Sequence, residues 1–352
     1  MLWRQRHLWG VILTGVVLGL LGVLLSVWGN PENSGICVSC FLENSAGALG
    51  LHGNVRMQYL RPELSGFVLG ALLCALGGRE FSSRGGSAPL LRFASGIFLI
   101  VGCAVFIGCP IKLFLRLTAG DLTSLSGLAG LVVGVGLGLQ GMRRGVEFPI
   151  PQRQEQGSGF LLPGLFALLL LFTIVPPAFI LFSEQGSAAQ RAPFFLALGS
   201  GLLIGALAQR SRFCITGSLR DLFLLGQRSP LFWGLLAFVV AALVTQGASG
   251  RLHLGLYGQP GAHHDYLWSF LGMLLVGGLS VLLGGCSFRQ LVKAGEGDND
   301  AALVVMGMLL GAGLVQSWGL AASAAGVPYY GKVAVLLGVF FTLWMTLVLR
   351  DR

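Results

Sequence analysis

Runs of about 20 mostly apolar residues recur along the chain, and only short polar segments separate them. A helix of about that length crosses the hydrocarbon core of a bilayer. Charged residues make up 11% of the sequence, against roughly 25% in an average soluble domain. No polar segment is long enough to form a separate soluble domain. The pattern therefore predicts an all-α polytopic membrane protein.

We place ten candidate spans along the chain, and the second of them is short. The spans cover about residues 8–29, 63–78, 89–108, 122–142, 160–182, 192–209, 230–248, 266–285, 299–319 and 333–349. The first run resembles a signal peptide, but its apolar part is too long and no A-x-A-like site follows. We therefore expect it to be a retained helix.

The sequence repeats itself at a constant offset of 177 residues (286 minus 109), which aligns Cys109 with Cys286 and Cys37 with Cys214. The other aligned pairs include Lys112 with Arg289, Arg116 with Lys293, Gly120 with Gly297, and Asp121 with Asp298. Each copy holds five spans, and an odd number reverses the orientation of the second copy in the membrane. This predicts two inverted repeats, as in many transporters. Residues 1–158 and 159–352 would be the two copies of one membrane domain.

The basic residues are distributed unevenly between the two sides. With a cytoplasmic N-terminus, 16 of the 23 Lys and Arg residues fall in cytoplasmic segments, including Arg4, Arg6, Arg228 and Arg352. This excess follows the positive-inside rule. It predicts that both termini are cytoplasmic, with the Cys109 segment toward the outer face and the Cys286 segment toward the inner face. The charges are scattered among loops, which excludes a nucleic-acid-binding stripe.

Each paired cysteine precedes an apolar stretch that is too short to cross a bilayer. These stretches cover residues 38–51, 110–117, 215–225 and 287–292. We expect half-helices that enter from both faces, with a cysteine at or near each N-terminus. Helix N-termini attract anions, and sulfur is a soft, polarisable contact group.

The sequence thus predicts an anion path lined by Cys37, Cys109, Cys214 and Cys286. Six further residues would attract or help to hold the anion. They are the basic residues three and seven positions after Cys109 and Cys286, and the glycine before each of these two cysteines. These six residues are Lys112, Arg116, Arg289, Lys293, Gly108 and Gly285. A thiol-lined path suits an anion with soft atoms, such as a reduced sulfur or selenium species, better than chloride or phosphate.

Several of the charged residues also have a purely structural interpretation. Lys112, Arg116 and Lys293 could be interfacial residues whose charged ends reach toward water. Asp121 and Asp298 each stand just before a predicted helix and could be N-caps. These alternatives stay open at the level of the sequence.

The remaining cysteines and histidines carry weaker signals. We interpret Cys74 and Cys103 as small core residues. Cys40 stands at CxxC spacing from Cys37, and the two could form a redox or disulfide pair on an oxidising side. Residues 263–265 (His-His-Asp) form too short a cluster to indicate a metal site, so no metal or other cofactor is expected.

Two segments also carry a family resemblance. NPENSGICVSCFLENSAGALGLH (Asn30–His52) and GGCSFRQLVKAGEGDNDAA (Gly284–Ala302) resemble the YeeE/YedE sulphur-transport family, and more narrowly its YedE-type branch, named for selenium transport. The resemblance implies an inner-membrane importer with nine full spans and short helices, in which cysteine thiols hydrogen-bond thiosulfate and hand it along. By position, Cys37, Cys109 and Cys286 match the family's cysteine motifs. Cys214 is supported by the internal repeat, and Cys40 has no match.

The main functional hypothesis is a channel-like permease, not an enzyme, that imports a small sulfur or selenium anion, with no ATP-binding motif in the chain. The alternative is a membrane thiol-dependent sulfur or selenium transferase that forms an adduct on Cys109 or Cys286. A nucleophilic cysteine normally needs a base, and the motif loops offer only Glu296, whose aligned residue is Ala119. A weaker third reading is a membrane anchor for a selenium-handling partner. The expected partners are the anion, the bilayer and, as a further candidate, a cytoplasmic sulfur- or selenium-handling protein.

Overall fold

The computed structural model describes residues 2–226 and 229–350, in which it contains 14 α-helices and two short strands. The helices are α1 (Leu2–Val27), α2 (Val38–Ala48), α3 (Pro62–Gly77), α4 (Pro89–Phe106), α5 (Pro110–Thr118), α6 (Ser124–Arg143), α7 (Leu161–Ile174), α8 (Phe194–Ser211), α9 (Ile215–Leu225), α10 (Pro230–Ala248), α11 (Tyr266–Leu282), α12 (Ser287–Gly295), α13 (Asn299–Ser317) and α14 (Tyr329–Arg350). The strands are β1 (Arg84–Gly85) and β2 (Gln152–Arg153), and a 3-10 turn, Gln156–Phe160, precedes α7. The side chains of Arg4 and Arg6, and residues Arg228 and Arg352, which enter the charge count above, lie outside the described residues.

The described part of the chain has nine helical segments that are long and apolar enough to cross a membrane, by length and composition. A tenth apolar helix, α3, is shorter and corresponds to the span predicted to be short. The prediction of an all-α, multi-pass membrane protein is therefore confirmed. The two-residue strands pair in antiparallel fashion between two loops and were not predicted.

Four short helices interrupt the series of long ones. Adding 177 to the bounds of α2 gives those of α9, and adding 177 to the bounds of α5 gives those of α12. The chain leaves α5 and α12 through Gly120 and Gly297, whose φ angles are +94° and +95°. Glycine adopts this left-handed conformation at no steric cost and commonly terminates helices. The repeat thus extends from aligned residues to aligned backbone geometry.

The two copies exchange helix partners in a symmetric way. In the repeat, α1 corresponds to α8 and α3 corresponds to α10. Helix α1 packs along α10, and α8 packs along α3. In the same manner α4 packs on α13 while α11 packs on α6, and α4 contacts α11. Helices α7 and α14 break this symmetry, because α7 packs on α3 whereas α14 packs on α4 and α11. The inverted orientation of the copies stays a prediction. So does the boundary at residue 158, although a count of five spans in each copy requires α7 to belong to the first.

Glycines allow the backbones of the exchanged helices to touch. A Cβ atom on Gly15 of α1 would lie 2.0 Å from the carbonyl oxygen of Gly234 in α10. Small residues allow such close approach where van der Waals packing holds membrane helices together. The interior that results contains α2, α5 and α12 and the N-terminal part of α9, whose last four residues are exposed. Helix α2 contacts α12, and α5 contacts α9.

The polar loops separate into two groups that contact within themselves. In the segments predicted to be cytoplasmic, Glu80 pairs with Arg210 at 2.6 Å and with Arg212 at 2.9 Å. In the segments predicted to be external, Arg61 donates to the carbonyl oxygen of Gln190 at 3.1 Å. The loops that contact each other in the structure are therefore loops that the charge distribution places on the same side of the membrane. Which face is cytoplasmic stays a prediction.

Candidate functional site

Two of the predicted cysteines meet where α9 and α12 begin. Cys214 is the N-cap of α9 and Cys286 is the N-cap of α12, and their sulfur atoms are 3.6 Å apart. The Cys214 sulfur accepts hydrogen bonds from the backbone N–H of Gly217 at 3.4 Å and of Cys286 at 3.5 Å. Both residues are buried. We call Cys214 and Cys286 the inner thiol pair.

The other two predicted cysteines meet in the same way at the start of α2 and α5. Cys37 is the N-cap of α2, and its sulfur accepts from the backbone N–H of Cys40 at 3.4 Å. Cys109 is the N-cap of α5, followed by proline at the first helical position, and its thiol is within hydrogen-bonding reach of Cys37. Both are buried. Cys37 and Cys109 form the outer thiol pair, so the structure gathers the four repeat-aligned cysteines into two matched pairs.

Two further thiols lie beside the outer pair. The sulfur of Cys40 is 3.9 Å from Nζ of Lys112. Cys103 is buried, as expected of a core residue, but its thiol also contacts the hydroxyl of Ser39, which lies 3.4 Å from the Cys37 sulfur. This contact of Cys103 was not predicted from the sequence. A signal existed, because the residue aligned with Cys103 at the repeat offset is polar, Ser280.

No disulfide links the cysteines of the described chain. Cys37 and Cys40 are both free thiols, so the proposed disulfide between them is not formed in this structure. Cys74 lies on α3, away from both pairs, and is half-buried.

The glycines that precede Cys109 and Cys286 make room for basic side chains. A Cβ atom on Gly108 would lie 2.7 Å from Cδ of Lys112, and one on Gly285 would lie 2.6 Å from Cγ of Arg289. The aliphatic stems of both basic residues therefore fold back over the glycine toward the N-terminus of their helix. The repeat preserves this arrangement, although lysine replaces arginine.

The four predicted basic residues have different surroundings. Arg289 donates to Glu296 at 2.9 Å and to the carbonyl oxygen of Ala208 at 3.1 Å. Lys293 pairs with Asp298 at 3.5 Å. Lys112 is buried and has no carboxylate partner within ion-pair distance among residues 2–226 and 229–350. Of the four, Lys112 is therefore the one whose charge has no direct counterion.

Arg116 has a buried carboxylate partner of its own. It pairs with Asp121 at 2.7 Å and donates to the carbonyl oxygen of Phe106 at 3.0 Å and to the hydroxyl of Thr123 at 2.9 Å. Arg116 and Asp121 are both buried. The side chain therefore does not reach toward water, and its predicted role in anion attraction stays a prediction. Its guanidinium cross-links the end of α4 to the turn before α6.

The two aligned aspartates also differ. Asp298 is the N-cap of α13 and accepts from the backbone N–H of Ala301 at 2.9 Å, which confirms its predicted role. The same prediction for Asp121 is wrong, because Thr123 occupies the N-cap position of α6. Asp121 instead accepts from the backbone N–H of Thr123 at 2.9 Å while it holds Arg116.

Glu296, the candidate acid or base, is held by arginines. Its buried carboxylate lies 2.5 Å from Arg212, 2.9 Å from Arg289 and 3.9 Å from Arg84. The carboxylate is therefore already engaged by three guanidinium groups.

The His-His-Asp segment is used structurally. The ring of His263 bonds the carbonyl oxygen of Val105 at 2.8 Å, and Asp265 accepts from the backbone N–H of Val327 at 2.8 Å. No group of three or more candidate metal ligands occurs among the described residues.

A cavity of about 190 Å³ adjoins the inner thiol pair. It lies between the N-termini of α9 and α12, and Cys214, Gly285 and Arg289 contribute to its wall. Arg212 and Arg220, which the sequence analysis counted only as charges that set topology, also line it. They were missed because α9 lies far in sequence from the motif after Cys286.

Comparison with known proteins points to one family. A model of the family described as "Sulphur transport" matches residues 210–347, the part that holds the inner thiol pair. The thiosulfate transporter TsuA of Escherichia coli (strain K12) is 31% identical over 97 residues. That alignment covers 28% of this chain and 27% of the transporter, so it spans about a quarter of either protein. The second half of this membrane protein is thus similar to a sulphur-transport family, and neither match names selenium.

Proposed function

We propose that this chain is a permease that imports a small sulfur-containing anion, similar to thiosulfate, through a path lined by the two thiol pairs. One observation carries the proposal. Two buried pairs of cysteines cap four half-helices, and beside Cys109 and Cys286 a basic side chain folds back toward the helix N-terminus over a glycine.

The chemistry of this arrangement suits a partly dehydrated anion. Half-helix N-termini present N–H groups and a partial positive charge, which replace the water that an anion loses on entering the protein. Thiols add weak hydrogen-bond donors and soft, polarisable surfaces. Conduction also requires that no site binds too tightly. Weak thiol donors and carboxylate-compensated charges such as Arg289 meet that condition.

The direction and the substrate rest on separate arguments. The family resemblance of the cysteine segments supports a bacterial inner membrane, and the charge distribution supports cytoplasmic termini. The anion would then meet Cys37 and Cys109 first and leave past Cys214 and Cys286. The name of the Escherichia coli relative supports thiosulfate. Selenium analogues share the soft terminal atom, and the family resemblance of the cysteine segments supports them. A cytoplasmic sulfur- or selenium-handling protein would then receive the cargo.

Replacing one cysteine tests the thiol path. Cys286→Ala is expected to reduce uptake of radiolabelled thiosulfate into proteoliposomes by more than tenfold, because the substitution removes the thiol while the small buried side chain is replaced by one of similar size. Cys74→Ala, which alters a cysteine away from both pairs, is the matched control and should transport normally. Uptake by Cys286→Ala at the wild-type rate, with both variants folded, would exclude a thiol relay through the inner pair. A panel of thiosulfate, selenite and selenium-substituted thiosulfate in the same assay identifies the preferred anion.

The transferase alternative has less support. It needs a base near a nucleophilic cysteine, and three arginines surround the carboxylate of Glu296. Mass spectrometry of the protein during turnover separates the two functions. A permease leaves all seven thiols unmodified, whereas a persulfide or selenide adduct on Cys109 or Cys286 would favour the enzyme.

A further inference from the structure

The cavity beside the inner thiol pair is sized for a small ion. Its volume of about 190 Å³ lies below the roughly 300 to 1,000 Å³ typical of pockets for drug-sized ligands. It leads from the surface into the protein: the side chains of Arg212 and Arg220 are 45% and 33% exposed, whereas Cys214 and Ser280 are 5% and 1% exposed. An anion could therefore pass between the buried sulfur and the surface by way of the two arginines.

Ser280 shows that the buried end of this cavity is polar and unsatisfied. Its hydroxyl is buried and has no hydrogen-bond partner in the described protein. Buried polar groups almost always have a partner, since leaving one unpaired costs free energy. Ser280 lines the cavity, as does Thr216, whose hydroxyl lies 3.3 Å from the Cys214 sulfur. A ligand with oxygen atoms would supply the partner that Ser280 lacks.

Arg220 has donors to spare. Its Nε and Nη2 atoms both bind one oxygen of Asp221, at 3.0 and 2.8 Å. Its Nη1 atom has no partner within residues 2–226 and 229–350. The carboxylates of Asp221 and Glu296 offset two of the three arginine charges on the cavity wall. The cavity therefore offers directed N–H donors whose positive charge is mostly compensated, which limits how tightly an anion is held.

The outer thiol pair lacks these groups. At the repeat offset, Arg220 aligns with Glu43, Ser280 aligns with Cys103, and Gly217 aligns with Cys40. The outer site thus has four thiols and a carboxyl group where the inner site has two thiols, a guanidinium group and an additional hydroxyl. Hard oxygen atoms prefer the guanidinium and hydroxyl donors, which are stronger hydrogen-bond donors than thiols.

We infer that the inner cavity is an oxyanion-binding site that receives the transported anion after the thiol pairs. Arg220 and Ser280 hold its oxygen atoms, and its soft terminal atom faces Cys214. This inference rests on the proposed permease function and adds to it a release site on the predicted cytoplasmic side. The anion class is a small oxyanion with one terminal chalcogen.

Protection of the Cys214 thiol measures occupancy of this cavity without requiring transport. The purified full chain is treated with N-ethylmaleimide in the presence of sodium thiosulfate, and peptide mass spectrometry quantifies the modification of Cys214 relative to that of Cys74 in the same sample. The ratio cancels the maleimide that thiosulfate itself consumes, because that loss affects both thiols equally. The variants are Arg220→Gln, Ser280→Ala and, as a control, Arg153→Gln, which changes an exposed arginine of β2 outside the cavity. Thermal unfolding of each variant is measured in parallel.

Thiosulfate is expected to protect Cys214 in the wild type and in Arg153→Gln at the same concentration. The half-protecting concentration should rise about tenfold in Arg220→Gln, which loses a charge-assisted hydrogen bond, and about threefold or more in Ser280→Ala. Ser280→Ala should unfold at the wild-type temperature or higher, because its hydroxyl has no partner in the protein. Sulfate, which lacks the soft atom, should protect less than thiosulfate.

Unchanged half-protecting concentrations in both Arg220→Gln and Ser280→Ala would overturn the inference. So would a Ser280→Ala variant that binds normally but unfolds at a lower temperature, since its hydroxyl would then be structural. Equal protection by sulfate would contradict the contact with Cys214. Uptake assays separate this failure from failure of the permease proposal. If the protein transports thiosulfate but thiosulfate does not protect Cys214, only the release site is refuted. If thiosulfate protects Cys214 but is not transported, only the permease proposal is refuted.

Discussion

The buried ion pair between Arg116 and Asp121 gives a prediction that separates structural support from anion attraction. The two side chains are 2.7 Å apart and are 2% and 0% exposed. Breaking such a pair by removing one partner leaves an uncompensated charge in the interior and costs about 3 to 5 kcal/mol. Asp121→Asn and Arg116→Met should each lose about that much stability. At about 2 °C per kcal/mol for a chain of this size, each thermal midpoint should fall by about 6 to 10 °C.

The double variant should be no less stable than the worse single variant. Once one charge is absent, removal of the other relieves the uncompensated charge, so the two costs are not additive. The control is Arg210→Met, which breaks the pair with Glu80. That pair is as short, at 2.6 Å, but its side chains are 65% and 32% exposed. An exposed pair contributes about 0 to 1 kcal/mol, so this variant should unfold within about 2 °C of the wild type.

Thermal unfolding of the detergent-solubilised proteins measures all four variants, and thiosulfate uptake follows for those that fold. The double variant Arg116→Met/Asp121→Asn should keep the wild-type KM, because the Arg116 donors bind Phe106, Asp121 and Thr123 rather than an anion. Additive losses in the double variant would refute the reasoning about the buried pair. If a folded double variant has a KM for thiosulfate that is raised several-fold, Arg116 contributes to anion binding.

Two further predictions concern a close contact and a titrating loop residue. Gly285→Ala should displace Arg289, since the new Cβ would lie 2.6 Å from its Cγ, and should lower uptake about tenfold through loss of a charge-assisted donor. The control Gly136→Ala, whose new Cβ meets nothing within 4 Å, should transport normally. Equal uptake by both variants would show that the position of Arg289 over Gly285 is not required for transport. Burial lowers the pKa of the loop residue His263 below its ordinary value of 6.5. The unfolded chain therefore binds a proton near pH 6.5 that the folded chain binds only at lower pH, so stability should decrease as the pH falls below 6.5. Thermal midpoints at pH 7.5 and 5.5 test this, and an equal decrease in His263→Gln would exclude His263 as the source.

Much of the fold follows from local sequence. In a bilayer every backbone polar group must be bonded within the protein, so apolar runs of sufficient length are restricted to helices. That restriction located the long helices, and the cysteine-led short runs located α2, α5, α9 and α12. The sequence could not reveal the different packing of α7 and α14, nor the pairing of β1 with β2. These features depend on contacts between segments that are distant in the chain.

The candidate site divides in the same way. The repeat offset singled out Cys37, Cys109, Cys214 and Cys286, because an aligned register is visible without any structure. The partner of each charged side chain was not visible. Arg289 folds over a glycine toward Cys286, whereas Arg116, in an aligned motif, turns inward to Asp121.

The sequence by itself determined the membrane class, the helix positions and the two matched sets of cysteines, since apolar run length and residue spacing are properties of the chain alone. Only the tertiary structure decided which cysteines touch, which charges are neutralised, and that Arg220 and Ser280 share a cavity with Cys214. Those outcomes depend on helices that are distant in the chain, such as α9 and α11, packing side by side. Side-chain pairing across such distances is set by packing and desolvation in the interior, which spacing along the chain does not encode.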